Sequence, residues 1–164
     1  MADGIVLGDA VLSGCGRYRY TLTRALGFGD RTCVFVMLNP STADAQWDDP
    51  TIRRCIGFAK SWDMHRLVVV NLFAWRATSP DDMKAADDPI GQENDHWLRS
   101  VIPTADCVVC AWGKHGSYRD RARQVIGMFP RRVFHVLALN KDGSPKHPLY
   151  VRGDTQPQEW QTNG

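Results

Sequence analysis

Cys33-Val34-Phe35-Val36-Met37-Leu38-Asn39-Pro40-Ser41-Thr42-Ala43-Asp44 passes from a charge-free apolar run straight into a polar one. A short uninterrupted apolar run, rich in Val and Phe, reads as a strand buried on both faces. Pro40 has no N–H to give a ladder and pushes Asn39 towards an extended backbone, so the strand ends at a fixed place. Asn39, Ser41, Thr42 and Asp44 then stand beyond its carboxyl end. In open parallel α/β sheets that is where ligands bind. A polar loop that merely caps the next helix is the competing reading.

The same pattern returns along the chain. Asp49-Pro50 starts a helix, with Asp at the cap and Pro at the first helical position. Its buried stripe is Ile52, Cys55, Ile56 and Ala59, and Arg53 and Arg54 lie off it. Leu67–Val70 is a second buried strand, with Asn71 at its end. Residues 81–93 read as loop with one helical turn. A second helix spans 94–102, with Trp97, Leu98 and Val101 inward. Residues 106–112 give a third strand that ends at Gly113-Lys114-His115-Gly116. Ser117 caps a third helix whose Arg119, Arg121 and Arg123 face out. Residues 133–139 give a fourth strand. Alternating strands and helices predict a three-layer α/β/α domain on a mainly parallel four-stranded sheet. Loops 39–44, 71–79, 113–118 and 140–150 are then delivered to one edge.

The ends are less regular. Residues 1–30 read as an N-terminal strand segment, including the apolar stretches near Ile5 and Val11. Arg17 to Arg24 alternates basic and aromatic residues, as in an edge strand with a cationic face or a phosphate-contacting one. Residues 151–164 read as a polar tail that frays. With 164 residues, one domain spanning 1–164 is expected.

The 43% apolar and 23% charged fractions suit an ordinary globular protein, and a net charge of +2 points to no class of partner. No apolar run is long enough for a membrane span. No basic segment with an apolar core opens the chain, so a cytoplasmic protein without a membrane partner is expected. Five irregularly spaced cysteines argue against a disulfide framework. Cys107 and Cys110 have CxxC spacing, but on a strand they point to opposite faces, which suits packing better than a metal. No metal and no cofactor is expected. Walker, HExxH and dinucleotide-binding patterns are lacking.

What remains is a set of polar side chains at strand ends. Asn39 and Asn71 each donate and accept, as the edge of a nucleobase requires. Lys114, His115, Asn140 and His147 arrive from the later loops. Trp47, Phe73, Trp75 and Trp112 lie near the same ends and suit stacking on a flat ring. Arg53, Arg54, Arg76 and Arg119 are candidates for phosphate contacts.

Two resemblances follow. The segments LNPSTAD (38–44), DDPTIRRC (48–55), NLFAWRAT (71–78), WGKHG (112–116) and HPLY (147–150) resemble a family of short bacterial and phage proteins with no assigned function. More distantly, the layout resembles the uracil-DNA glycosylase superfamily. Leu38-Asn39-Pro40-Ser41 is similar to its GINPG-type loop, and Val68-Val69-Val70-Asn71 with Arg76 to its LLLN strand and following loop. Cys110 to Gly116 is similar to its LLWGSHA segment, and His147-Pro148-Leu149 more loosely to HPSP. The resemblance implies a uracil-DNA glycosylase-like fold. It implies that Asn39 positions water, Asn71 reads a flipped base, His147 stabilises the departing base and Trp47 lies under it. Ser41, Thr42, Lys114 and His115 join the substrate-binding set. Asn39 cannot act as a general base, the last motif lacks its first Ser, and the first loop is poor in glycine. Action on a base other than uracil is therefore expected.

The function expected is recognition of a damaged or modified base in nucleic acid, preferably DNA, with base flipping and N-glycosidic hydrolysis in repair or modification. The alternatives are a nucleoside- or nucleotide-processing enzyme and a non-catalytic nucleic-acid-binding module.

Overall fold

The opening stretch forms β3 (Thr32–Met37), buried at every residue. In the computed structural model, which describes residues 8–162, β3 lies between two parallel neighbours, β4 (Arg66–Asn71) and β5 (Cys107–Cys110). Next to β5 comes β6 (Phe134–Val136), again parallel. The apolar positions near Ile5 fall outside the described residues.

The sheet is larger than the expected four strands. β2 (Arg19–Ala25) adds to β4 antiparallel, β1 (Gly8–Leu12) adds to β2 antiparallel, and β7 (Gln158–Trp160) adds to β6 antiparallel. The full order is β1-β2-β4-β3-β5-β6-β7, a seven-stranded mixed sheet. The tail read as frayed thus supplies a strand. A bare β6 would leave an open edge, and β7 covers it. Trp160 packs against Trp112 with ring centroids 5.8 Å apart.

Alternation along β3 sends Phe35 and Val36 to opposite faces, and two helical layers cover them. On one face Phe35, Leu67 and Val69 pack against α1 (Pro50–Ser61) through Ile52, Cys55 and Phe58, with Trp62 beyond its end. Phe58 replaces Ile56 in the buried stripe, and Ile56 is only partly buried. On the other face Val34, Val36, Val68 and Val70 meet Met83 of α2 (Pro80–Lys84), Leu98 of α3 (Asn94–Val101) and Val125 of α4 (Arg121–Gly127). Cys107 lies in the first layer and Cys110 in the second. Trp97 is only partly buried.

Two arginines depart from the sequence reading. Leu12 pairs with Arg19 but Val11 with Thr21, so Tyr20 is an extra residue in the ladder. That bulge breaks the alternation. Arg19 and Arg24 are both buried, and both donate to the loop after β3. β2 is therefore an internal strand with no free cationic face. The second arginine is Arg121. The chain between β5 and α4 is a 3-10 stretch, Lys114–Asp120, and Arg119 and Asp120 are left-handed at φ 54° and 57°. Asp120, not Ser117, stands before the helix. The left-handed turn shifts the helical frame and carries Arg121 inward. Its Nε donates to Leu72 O at 2.8 Å and its Nη2 pairs with Asp95 at 2.6 Å.

The parallel strands end nearly level. Met37 is registered with Asn71, Val36 with Cys110, and Cys110 with Val136. All four strand-end loops therefore leave the sheet at one edge.

Candidate functional site

A cavity of about 950 Å3 opens at that edge. The size is within the range of small-molecule sites. Each of the four loops contributes to its wall: Asn39 to Thr42, Asn71 with Ala77 and Thr78, Gly113 to His115, and Asn140 to Asp142 with His147.

The first loop is held rigidly. Asn39 Nδ2 donates to Pro40 O at 3.1 Å and to Ala77 O at 2.9 Å, which ties the loop after β3 to the loop after β4. Its Oδ1 has no protein partner among the described residues, so Asn39 offers the cavity an acceptor. Asp44 Oδ1 accepts from the backbone N–H groups of Gln46 and Trp47, both at 2.9 Å. From β2, Arg19 Nη1 donates to Ala43 O at 2.9 Å, and Arg24 Nε pairs with Asp48 at 2.8 Å.

Asn71 is the last residue of β4 and is fully buried. Its backbone carbonyl accepts from Asn94 Nδ2 at 3.0 Å, but neither Oδ1 nor Nδ2 of its own side chain has a partner. Buried polar atoms are nearly always satisfied, and each exception asks for an explanation. Asn71 is also one of the residues that line the cavity.

The third loop owes its course to glycine. Gly113 lies at φ 76°, and a Cβ on Gly116 would fall 2.2 Å from Trp112 Cδ1. Only glycine lets this loop fold back on Trp112, which is buried in the cavity wall. His115 Nδ1 sits 3.1 Å from Lys84 Nζ. Burial first, then the charges of Lys84 and Lys114, push the His115 pKa down. A neutral ring accepting from the Lys84 ammonium follows.

In the fourth loop, His147 Nδ1 accepts from Leu149 N–H at 3.2 Å. The proton of the neutral ring is then on Nε2. Burial lowers the His147 pKa, and the charge of Asp49 opposes that shift. Arg54 supports this loop from α1: its Nε donates to Pro148 O at 3.3 Å and its Nη2 to Val151 O. Tyr150 is exposed on the cavity rim.

Asp49 and Arg19 are two of the wall residues that lay outside the set read from the sequence. Asp49 had only a capping role, and its Oδ1 does accept from Ile52 N–H at 2.9 Å. It also borders the cavity, where it is a carboxylate at hand for proton transfer. Arg19 was assigned to a strand face and also reaches the cavity, although only 2% of it is exposed. Asp49 could have been found from its place between a strand-end loop and a helix start. Arg19 carried no such signal, because the bulge that turns it inward leaves no trace in the residue pattern.

Other expected residues lie elsewhere. Trp47 is 69% exposed and off the cavity wall, because Asp44 turns the chain outward before it, so Trp112 and Tyr150 are the aromatic neighbours of the site. None of Arg53, Arg54, Arg76 and Arg119 lines the cavity. Arg53 donates to Asp48 O, Arg76 to Ser41 O and Gly16 O, and Arg119 lies over the Tyr118 ring at 5.4 Å. Among the described residues no group of three His, Cys, Asp or Glu is placed to hold a metal, and no helix is long and apolar enough to cross a membrane.

No curated protein and no solved structure matches the chain. A family model does, over residues 19–149, a span that includes three of the strand-end loops and all but the last residue of the fourth. The chain belongs to that family, described as a protein of unknown function, DUF1643.

Proposed function

We propose that the cavity takes a nucleobase still joined to its sugar and that the protein hydrolyses the N-glycosidic bond. The observation that carries the reading is the orphaned, buried amide of Asn71 at the strand ends. An amide has the donor–acceptor pair that a base edge or a lactam presents, and a ring wall such as Trp112 suits a flat partner. The likeness of the Asn39, Asn71 and His147 segments to the uracil-DNA glycosylase motifs supports the same chemistry.

In this reading Asn71 pairs with the base edge and Asn39 Oδ1 orients a water. Asp49 accepts that water's proton as the oxygen bonds to the sugar carbon. The electron pair of the breaking carbon–nitrogen bond goes to the base. His147 Nε2–H and the Lys114 ammonium stabilise the charge that develops there, as an oxyanion hole does. A base in a duplex must first be flipped out, at a cost of a few kcal/mol.

A damaged or modified base in DNA is the first substrate class. A free nucleoside or nucleotide is the second, and one observation favours it: the arginines expected to track a phosphate backbone are off the cavity, and Arg54 and Arg76 are spent on backbone carbonyls. Oligonucleotides carrying a panel of damaged and hypermodified bases, and the matching nucleosides and nucleotides, separate the two. Abasic sites support the first class, and base released only from free nucleosides or nucleotides supports the second. If no member yields free base, N-glycosidic cleavage is wrong. Salt-sensitive nucleic-acid binding without product would then leave a non-catalytic module.

A further inference from the structure

Arg19 is a buried cation that no carboxylate of the described residues holds in an ion pair. It is 2% exposed, its Nε is buried without a partner, and the one hydrogen bond of its side chain among the described residues runs from Nη1 to Ala43 O. No carboxylate of the described residues stands within ion-pairing distance of it, whereas the other buried arginines, Arg24 and Arg121, each hold an aspartate. A buried charge without a counter-charge is costly and is ordinarily paired. Arg19 also borders the cavity, and so do Lys114 and Lys141. Two acids also line the wall: Asp49, whose charge favours the Arg19 cation without pairing with it, and Asp142, which accepts from Ser144. The guanidinium stays a cation at neutral pH, although burial lowers its pKa to about 10.

We infer that Arg19 forms an anion subsite inside the cavity, and that the anion is a phosphate carried by the same substrate whose base meets Asn71. This rests on the base-binding reading above and deepens it. A guanidinium presents parallel N–H groups that match a phosphate's oxygens, and Nε with Nη2 is the pair left open here. The phosphate either belongs to a free nucleotide or flanks the target base in a strand.

The test begins with wild-type protein labelled with 15N. The Arg19 Nε–H signal, assigned by its loss in Arg19→Lys, is followed as inorganic phosphate is added at fixed ionic strength. The expected result is a saturable shift of that signal, with chloride giving none. Matched nucleosides and nucleoside monophosphates are then compared, with the monophosphates expected to bind at least tenfold tighter in wild type and equally in Arg19→Lys. Displacement of phosphate by a mononucleotide assigns the anion to a free nucleotide, and displacement only by a short single strand assigns it to a strand phosphate. Asn71→Ala separates the two readings: phosphate still shifts Arg19 there, even if base binding was wrongly assigned. If Arg19→Lys does not fold, site-specific labelling of Arg19 gives the assignment and the wild-type titrations decide. No shift with phosphate, together with equal affinities for nucleosides and monophosphates, overturns the subsite.

Discussion

Asn71→Ala separates a binding amide from a structural one. In the ligand-free protein the Asn71 side chain makes no hydrogen bond, and both polar atoms are shut off from water. Leaving a buried polar group unsatisfied costs about 1–3 kcal/mol. Truncation to Ala removes two such groups. The backbone carbonyl of Asn71, which receives Asn94 Nδ2, is untouched. Against this stands the loss of a few van der Waals contacts on a residue that already borders a cavity, about 1 kcal/mol. The net expectation is a protein stabilised by about 1–5 kcal/mol. For a chain of this size each kcal/mol moves Tm by about 2–4 °C, so Tm rises by several degrees. Binding moves the other way. A ligand that loses two hydrogen bonds in a desolvated site loses about 2–3 kcal/mol, or 30- to 150-fold in affinity. Differential scanning calorimetry and titration calorimetry with the best ligand of the panel measure both. A fall in Tm refutes the claim that the amide is structurally idle. Unchanged affinity refutes its role in binding.

Other outcomes follow from particular contacts. Asp49→Asn keeps the helix cap, since Asn accepts from Ile52 N–H as well as Asp does, so the fold survives. Single-turnover rates are expected to fall about a hundredfold, a typical effect for a general base, and an unchanged rate removes Asp49 from the chemistry. Burial lowers the pKa of His115 and His147 in the folded state. Unfolded histidine binds its proton near pH 6.5, so the stability these neutral rings contribute is complete above that pH and is lost as pH falls through the lowered folded values. Chemical denaturation from pH 7.5 to 5 shows this decline, and replacing both histidines by Gln is expected to flatten it. Arg121→Ala empties a buried site and removes the bonds to Leu72 O and Asp95, for a loss of about 2–4 kcal/mol. Arg123→Ala, at an exposed position paired only at 3.9 Å, is expected to stay within about 0.5 kcal/mol. Equal effects in a urea titration contradict the inward placement of Arg121.

Much of the central layer was legible because its signals are local. Four apolar runs, each stopped by Asn, Gly or Pro, give the parallel strands, and the strand ends give the four loops. Asp49-Pro50 announces α1 by chemistry that needs no partner elsewhere. Two of the missed features are made by long-range contact, and two by local turns that the residue pattern does not announce. β7 is three residues in a polar tail and exists because β6 offers it an edge. The bulge at Tyr20 depends on pairing with β1, and without it Arg19 reads as an outer-face residue. Arg121 is turned inward by two left-handed residues, neither of them glycine, that no local pattern foretells. Trp47 stands beside a strand-end loop in sequence, but the Asp44 turn points it to solvent. Strand-end position thus located the loops of the site, while deciding which side chains enter it required the packing.

The most direct measurement is a crystal structure of the protein with the base released or bound most tightly from the panel. The account predicts a planar ligand in the 950 Å3 cavity, its edge hydrogen-bonded to the Asn71 amide and its sugar side towards Asn39 and Asp49. A base seated elsewhere on the surface, or an Asn71 amide still unpartnered with the cavity occupied, contradicts it.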